Sequence, residues 1–320
     1  MFRTLKEIKI RLMEKTFYSN GKLLITGEYL VLDGAKAFAL PTKYGQNLII
    51  AEGSNNEIIW KSYDADGSIW FEDRIQFSNI INKPNYDNDS IKATLTTILH
   101  EAFKLNPDFI LHSNGYTATT ELGFPKNWGL GTSSTLINNI AQWLQIDAYK
   151  LLKNSFGGSG YDIACAQNDA PIVYHLEKGN PIVEKVHFNP DFTDNIYFIY
   201  LNKKQSSKSA IAAYNTNKKN NLARTIAVND VITFEVLNAT TIQSFAAAIQ
   251  KHEVQMSIIL ETQTIKESLF PDFNSVIKSL GAWGGDFVMA IATENPSEYF
   301  ISKGYRIVVP YKEMILSCFL

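Results

Sequence analysis

The chain is 320 residues long, 45% hydrophobic and 19% charged, enough for one large core or two medium ones, and this excludes general disorder. Thirty Lys and Arg against thirty-two Asp and Glu leave a formal charge of −2, which excludes a chain-wide electrostatic grip on nucleic acid or an anionic membrane. The two cysteines, Cys165 and Cys318, are too few for a disulfide-stapled domain or a thiolate metal knuckle, and no apolar run approaches the roughly 20 residues of a membrane span.

The first fifteen residues, MFRTLKEIKIRLMEK, alternate charge with apolar side chains and lack a signal-peptide stretch, which reads as a cytoplasmic protein. Residues 16–50 are apolar runs broken by Gly and Pro and predict successive strands and turns. From Glu57 to Phe77 the runs IIW, SIWF and IQF predict further hairpins of one mixed sheet. A helix capped at Asp89 is expected through IKATLTTILHEAFKL, then a strand pair over 109–121. Gly-rich turns open helices after Gly131 and after Gly160, and PIVYHLE is a strand.

Composition then shifts around EKGNPIVEK, which places a domain boundary near 178–186 and predicts lobes of 1–180 and 181–320. The strand IYFIYL is followed by NKKQSSKSAIAAYN and by helical patterns over 229–250 and 252–268. PDFNSVIKSL reads as a short helix, GAWGG as a turn and DFVMAIAT as a strand. NPSEYFISKG reads as a helix between Asn295 and Gly304, and YRIVVPY as a closing strand. The class is α+β, and the second half has an order compatible with a ferredoxin-like sandwich.

Three glycine-rich turns carry the chemistry. In Gly129-Leu130-Gly131-Thr132-Ser133-Ser134, glycines let backbone N–H groups approach phosphate oxygens at a helix N-terminus. Hydroxyls at 132–134 add hydrogen bonds or reach a phosphate-bound Mg²⁺, while the plainer alternative is a turn with a Ser/Thr cap. No Lys follows the glycines as in a Walker A loop, and Ser134 breaks G-x-G-x-x-G. In Gly157-Gly158-Ser159-Gly160-Tyr161-Asp162, Asp162 either faces a ligand or complements the helix dipole, and Tyr161 excludes a nucleophile elbow at Ser159. Gly281-Ala282-Trp283-Gly284-Gly285-Asp286 is the third. Lys22 stands beside Gly21 at a strand start, and Lys203, Lys204 and Lys208 frame the one dense basic run after residue 180. The five histidines show no metal-ligand spacing and read as structural or surface residues.

Taken together, these segments resemble the GHMP family of small-molecule kinases over nearly the whole chain. GKLLITGEYLVLDG is similar to the first family segment, GLGTSS to the phosphate loop, GSGYDIA to the segment with the catalytic Asp, and GAWGGD to the third motif. The resemblance implies an N-terminal lobe like ribosomal protein S5 domain 2 and a C-terminal ferredoxin-like lobe, with ATP and Mg²⁺ in the cleft. It implies that Lys22 and Asp162 are the catalytic pair, that Gly129, Leu130, Gly131, Thr132, Ser133 and Ser134 bind the nucleotide, and that Ser133 ligates Mg²⁺. On the acceptor side it implies Glu28, Tyr29, Ser159, Gly160, Lys203, Lys204, Ser206, Ser207, Lys208, Gly281, Ala282 and Gly284.

The GEY triplet, Trp128 before the loop and the terminal Gly-Asp of the third motif resemble the members that act on 5-phosphomevalonate, ahead of those that act on mevalonate. The expected partner is that small molecule, with no nucleic acid or membrane, for a monomer or homodimer. Two departures stand out. Trp283 occupies a position where the family has Gly, and no Glu lies between Glu121 and Glu177 to serve as a second Mg²⁺ ligand. A non-catalytic homologue that binds nucleotide or metabolite is the alternative of another class.

Overall fold

The computed structural model describes residues 14–83, 90–204, 207–217 and 222–316. In chain order, β1 is Lys15–Thr26, β2 Ala37–Glu52, β3 Glu57–Tyr63 and β4 Ile69–Gln76. Helices α1 (Phe77–Asn82), α2 (Ile91–Leu105) and α3 (Asp108–Leu111) precede β5 (Tyr116–Leu122). Next come α4 (Thr132–Leu144), α5 (Ala148–Ser155), α6 (Tyr161–Ala166), β6 (Ile172–Glu177), β7 (Asn180–Lys185) and β8 (Ile196–Tyr200). Four helices follow: α7 (Ser207–Asn217), α8 (Leu222–Leu237), α9 (Ile242–Leu260) and α10 (Ile265–Leu269). The chain ends with β9 (Val276–Ser279), β10 (Phe287–Ile291), α11 (Ser297–Ser302), β11 (Val308–Pro310) and α12 (Tyr311–Met314).

These elements form two compact units. The first takes the described residues up to Gly21, then Tyr44–Lys126 and Gly131–Gln167; the second takes Lys22–Lys43, Asn127–Leu130 and the residues from Asn168 onward. In the first unit β3 pairs antiparallel with β4 and parallel with β5, and β5 pairs antiparallel with Gln46–Glu52 of β2. The expected mixed sheet is therefore present. Its core sets Leu48, Ile58, Trp60 and Ala118 of the strands against Leu95, Ile98 and Leu99 of α2 and Ile137 and Ile140 of α4. Helix α2 buries one face because its apolar residues recur at helical spacing, and Ser90 caps it by accepting from Ala93 N.

In the second unit β8, β9, β10 and β11 make an antiparallel sheet of order β11-β8-β10-β9. With the helices between β8 and β9 and α11 between β10 and β11, this is the βαββαβ order of a ferredoxin-like sandwich. All five side chains of β10 are buried, as a central strand covered on both faces requires. Among the described residues no helix is long and apolar enough to cross a membrane.

Several local expectations change. Residues 109–121 hold α3 and one strand, β5, because Ile110 and Leu111 donate to Pro107 O and close a helical turn. The helical region expected over 229–250 and 252–268 divides instead into α8, α9 and α10. Thr241 with Ser244, and Thr264 with Glu267, form capping boxes that restart the helix. Val276–Ser279 is a strand and no part of a helix, since its backbone pairs with β10. GAWGGD is thus a turn, as expected, but one that links two strands as the loop of a β9–β10 hairpin. The closing strand covers Val308–Pro310 and turns into α12 at Tyr311. Asp89, expected to cap α2, lies outside the described residues, and Ser90 holds the cap position.

Candidate functional site

In the first unit, α4 starts at Gly131, whose φ of 103° is a left-handed angle that glycine adopts without a Cβ penalty. Gly131 has no side chain to cap the helix, and Thr135 N is the first amide to bond back to Gly131 O, at 2.9 Å. The amides of Thr132, Ser133 and Ser134 are the orphan donors of the helix end, where the dipole favours an anion. Ser134 Oγ and Thr135 Oγ1 turn inward onto Gly131 O at 2.9 and 3.0 Å, whereas Ser133 is exposed.

A buried polar network fixes this helix to the strands. Thr135 Oγ1 donates to Gln46 Oε1 at 2.7 Å, Asn139 Nδ2 to Gln46 O at 2.9 Å, and Ser19 Oγ to Asn139 Oδ1 at 2.7 Å. Helix α6 packs on α4, and Gln167 Nε2 donates to Asn138 Oδ1 at 3.0 Å. Gly160, at φ 94°, caps α6, and Asp162 sits half-buried in its first turn beside half-buried Ser159. A Cβ at Gly157 or Gly158 would meet nothing, so their positive φ angles of 81° and 100°, and not space, call for glycine.

In the second unit, Lys22 N donates to Leu130 O at 3.0 Å and Lys22 Nζ to Gly129 O at 3.4 Å. Gly129 has φ 71°, and a Cβ there would lie 2.4 Å from Asp286 Cγ. Asp286 N in turn donates to Lys203 O at 2.6 Å. Lys22, the Gly129–Leu130 half of the phosphate-loop sequence, Asp286 of the hairpin and the Lys203 backbone are thereby brought together. Trp128 packs edge-on to Phe287 with ring centroids 5.3 Å apart. Gly281, Ala282 and Gly284 line the half-buried hairpin loop, and Lys203 and Lys204 are exposed. Ser207 and Lys208 open α7, and Ser206 lies outside the described residues.

Glu28 is placed differently from a ligand-facing carboxylate. It is buried and paired with Lys278 Nζ, which is also bonded to Ser279 O and lies 3.5 Å from Glu253 Oε2. Glu253 accepts from Ser279 N at 3.0 Å and Ser279 Oγ at 2.7 Å. Gly27 N donates to His252 Nε2 at 3.0 Å, so that nitrogen carries the lone pair and the ring proton is on Nδ1. Glu28 Oε2, with no hydrogen-bond partner, lies 3.4 Å from the same Nε2. Burial pushes the Glu28 carboxyl up to about 7 against the opposing charge of Lys278. Burial, then Lys278, holds the His252 imidazolium well below its usual range.

Tyr29, at φ 59°, stacks on Tyr214 with centroids 5.4 Å apart, and burial raises its phenol above the ordinary range. Trp283, at φ 50°, packs in the same small core with Leu30 and Met256, and Lys278 Nζ sits 5.5 Å from its ring centroid. His252, Glu253 and Lys278 were not singled out in the sequence. A lysine between short apolar runs carries no sign of burial. Among the described residues no group of three or more His, Cys, Asp or Glu is disposed to hold a metal ion.

No family model and no curated protein matches the chain. Solved structures do. Mevalonate kinase from Methanococcus jannaschii is similar at 16% identity and a TM-score of 0.67, over 91% of this chain and 94% of that one. Streptococcus pneumoniae phosphomevalonate kinase, in complex with phosphomevalonate and AMPPNP, matches at 17% identity and 0.67, over 95% and 98%. Lactococcus lactis galactokinase, complexed with galactose, matches at 11% identity and 0.63, over 94% and 93%. At these identities the likeness is one of fold. The fold of this chain is that of the GHMP small-molecule kinases.

Proposed function

We propose that the chain is an ATP-dependent kinase of the GHMP family, acting in the cytoplasm on a small anionic acceptor of the mevalonate pathway, 5-phosphomevalonate, with mevalonate as the alternative. The observation that carries the reading is the uncapped N-terminus of α4 at GLGTSS, in a chain with this fold. Three backbone amides and the Thr132 and Ser133 hydroxyls make a donor set suited to phosphate oxygens. The exposed Ser133 hydroxyl suits Mg²⁺, which keeps water and phosphate oxygens as most of its ligands and needs no carboxylate cage. When bound, Mg²⁺·ATP supplies the γ-phosphoryl group and offsets its charge.

The chain's own residues do the rest. Gly129, Leu130, Gly131, Thr132, Ser133 and Ser134 hold the phosphates in one orientation, Ser134 by keeping the turn closed through Gly131 O. Lys22 adds positive charge where negative charge builds on the transferred group. Asp162, fixed by its helix, accepts the proton of an acceptor hydroxyl or orients an acceptor already ionised. Lys203, Lys204 and Lys208, with Ser206 and Ser207, pair with the acceptor's carboxylate and phosphate. Tyr29, Ser159, Gly160, Gly281, Ala282 and Gly284 supply contact surface, and Glu28 fixes the Tyr29 turn from beneath through Lys278.

A coupled ADP-release assay with mevalonate, 5-phosphomevalonate, galactose and homoserine tests the reading. Turnover with 5-phosphomevalonate above the others supports it, and no turnover of any by the folded protein sinks it. A second reading, binding without transfer, is favoured by Trp283, which stands at a position of left-handed backbone in the hairpin loop and packs into the core with Leu30 and Met256. ATP binding with no transfer, unchanged by Asp162→Asn, is its signature.

A further inference from the structure

Tyr29 adopts a backbone that a side chain rarely tolerates. Leu30 N donates to Glu28 O at 2.6 Å, and with φ 59° and ψ −46° at Tyr29 this closes a γ-turn of the rare, strained hand. Such a residue persists only where its surroundings over-determine it, and residues of this kind cluster at ligand clamps and active sites. The side chain carries a second anomaly. Tyr29 is 9% exposed, yet its hydroxyl makes no hydrogen bond among the described residues and is not sealed from solvent. A buried tyrosine ordinarily finds its hydroxyl a partner.

Tyr214, on α7, holds this turn at both ends. Its ring stacks on that of Tyr29 at an interplanar angle of 30°, and its hydroxyl donates to Asp33 Oδ2 at 2.7 Å. Asp33 ends the 3₁₀ turn Leu30–Asp33 that follows Tyr29, so stack, hydrogen bond and turn close a ring. Leu30, Met256 and Trp283 pack around the pair, and Ala210 and Ile211 bring α7 onto the same small core. Burial, joined at Tyr214 by the Asp33 bond, raises both phenols above their ordinary range. Each therefore keeps its proton at neutral pH, Tyr214 to donate to Asp33 and Tyr29 to donate outward.

We propose that Tyr214 is a positioning residue for the acceptor: through the stack and the Asp33 bond it fixes Tyr29 in its turn and aims the Tyr29 hydroxyl at an anionic oxygen of the acceptor. This rests on the kinase reading above, in which Tyr29 supplies contact surface to the acceptor. The plainer role for Tyr214 is to fill the small core. A filler needs only the ring, so its hydroxyl would bear on stability and on nothing that reads the acceptor.

Steady-state ADP release by the full chain decides, with 5-phosphomevalonate, or with mevalonate should that be turned over faster. Tyr214→Phe keeps the ring and loses the bond to Asp33. It is expected to raise the acceptor KM about tenfold, with kcat and the KM for ATP within about twofold of the wild type. Tyr29→Phe is expected to raise the acceptor KM at least as far, and the double variant no further than Tyr29→Phe alone, because Tyr214 acts through that hydroxyl. Asp33→Ala removes the same bond from its other side and should match Tyr214→Phe, whereas Asp33→Asn keeps an oxygen for Tyr214 and should recover part of the loss. An unchanged acceptor KM in Tyr214→Phe, an equal rise in the KM for ATP, or full additivity with Tyr29→Phe overturns the proposal and leaves the kinase reading standing. A folded wild type that transfers to neither acceptor overturns that reading, and this proposal with it.

Discussion

Glu28→Gln removes one proton-binding group from the buried cluster and leaves its shape nearly intact. In the folded protein the carboxyl is pushed from 4.5 up to about 7 by burial, with Lys278 opposing the rise. Between those values the folded chain keeps a proton that the unfolded chain has released. The stability this confers is complete below the unfolded value and is lost as pH rises through the folded one. One proton is worth about 1.4 kcal/mol per pH unit, so the whole interval amounts to about 3 kcal/mol.

His252 acts in the opposite sense. Its folded form stays neutral, so acid favours the unfolded chain below its ordinary value of 6.5. The two slopes offset one another in the wild type between about pH 4.5 and 6.5. The difference between wild type and Glu28→Gln cancels the histidine and every shared group. Urea unfolding of both proteins, from about pH 5 to about pH 8, is expected to show the variant gaining on the wild type by about 2.5 kcal/mol, the part of the interval that this range covers. A constant difference, or a wild type that gains as pH rises, would mean that Lys278 holds Glu28 ionised, and the reasoning would fall.

Lys278→Met should cost about 3–5 kcal/mol in the same assay at neutral pH, because Glu28 and Glu253 then lie buried without their counter-ion. Adding Glu28→Gln should recover part of that loss, and strict additivity of the two would show that the groups are not coupled. Gly129→Ala should destabilise by about 1–3 kcal/mol through its left-handed backbone and its clash with Asp286. Asp286→Ala should relieve the clash but not the backbone strain, and a neutral Gly129→Ala would show the loop to be freer than drawn.

The glycine turns were the most legible part of the chain, because a helix that begins at a left-handed residue has few other ways to be written. Gly131 and Gly160 stand at the left-handed positions just before α4 and α6, where the sequence placed the turns that open these helices. The capping boxes at Thr241 and Thr264 were equally present, but each lay inside one of the helical patterns read over 229–250 and 252–268 and was masked by it. Strand β9 could not be read locally: four residues carry no period, and its extended form comes from pairing with β10.

Burial of Lys278 was invisible for a related reason. Its partners come from the turn after β1 and from α9, more than twenty residues away in either case. The two units also follow no linear boundary. The chain leaves the first unit within β1 and re-enters it within β2, so residues 22–43 join the unit that holds the ferredoxin-like sheet. Of the site residues, the sequence announced the loops through glycine and left their underpinning, Lys278, Glu253 and His252, unannounced.

Transfer of label from γ-labelled ATP to 5-phosphomevalonate tests the central claim most directly, with wild type, Lys22→Met and Asp162→Asn measured side by side. A labelled product from the wild type, reduced by at least about 10²-fold in each variant while unfolding midpoints stay unchanged, is the predicted result. Full transfer by both variants, or none by a wild type that binds ATP, would contradict it.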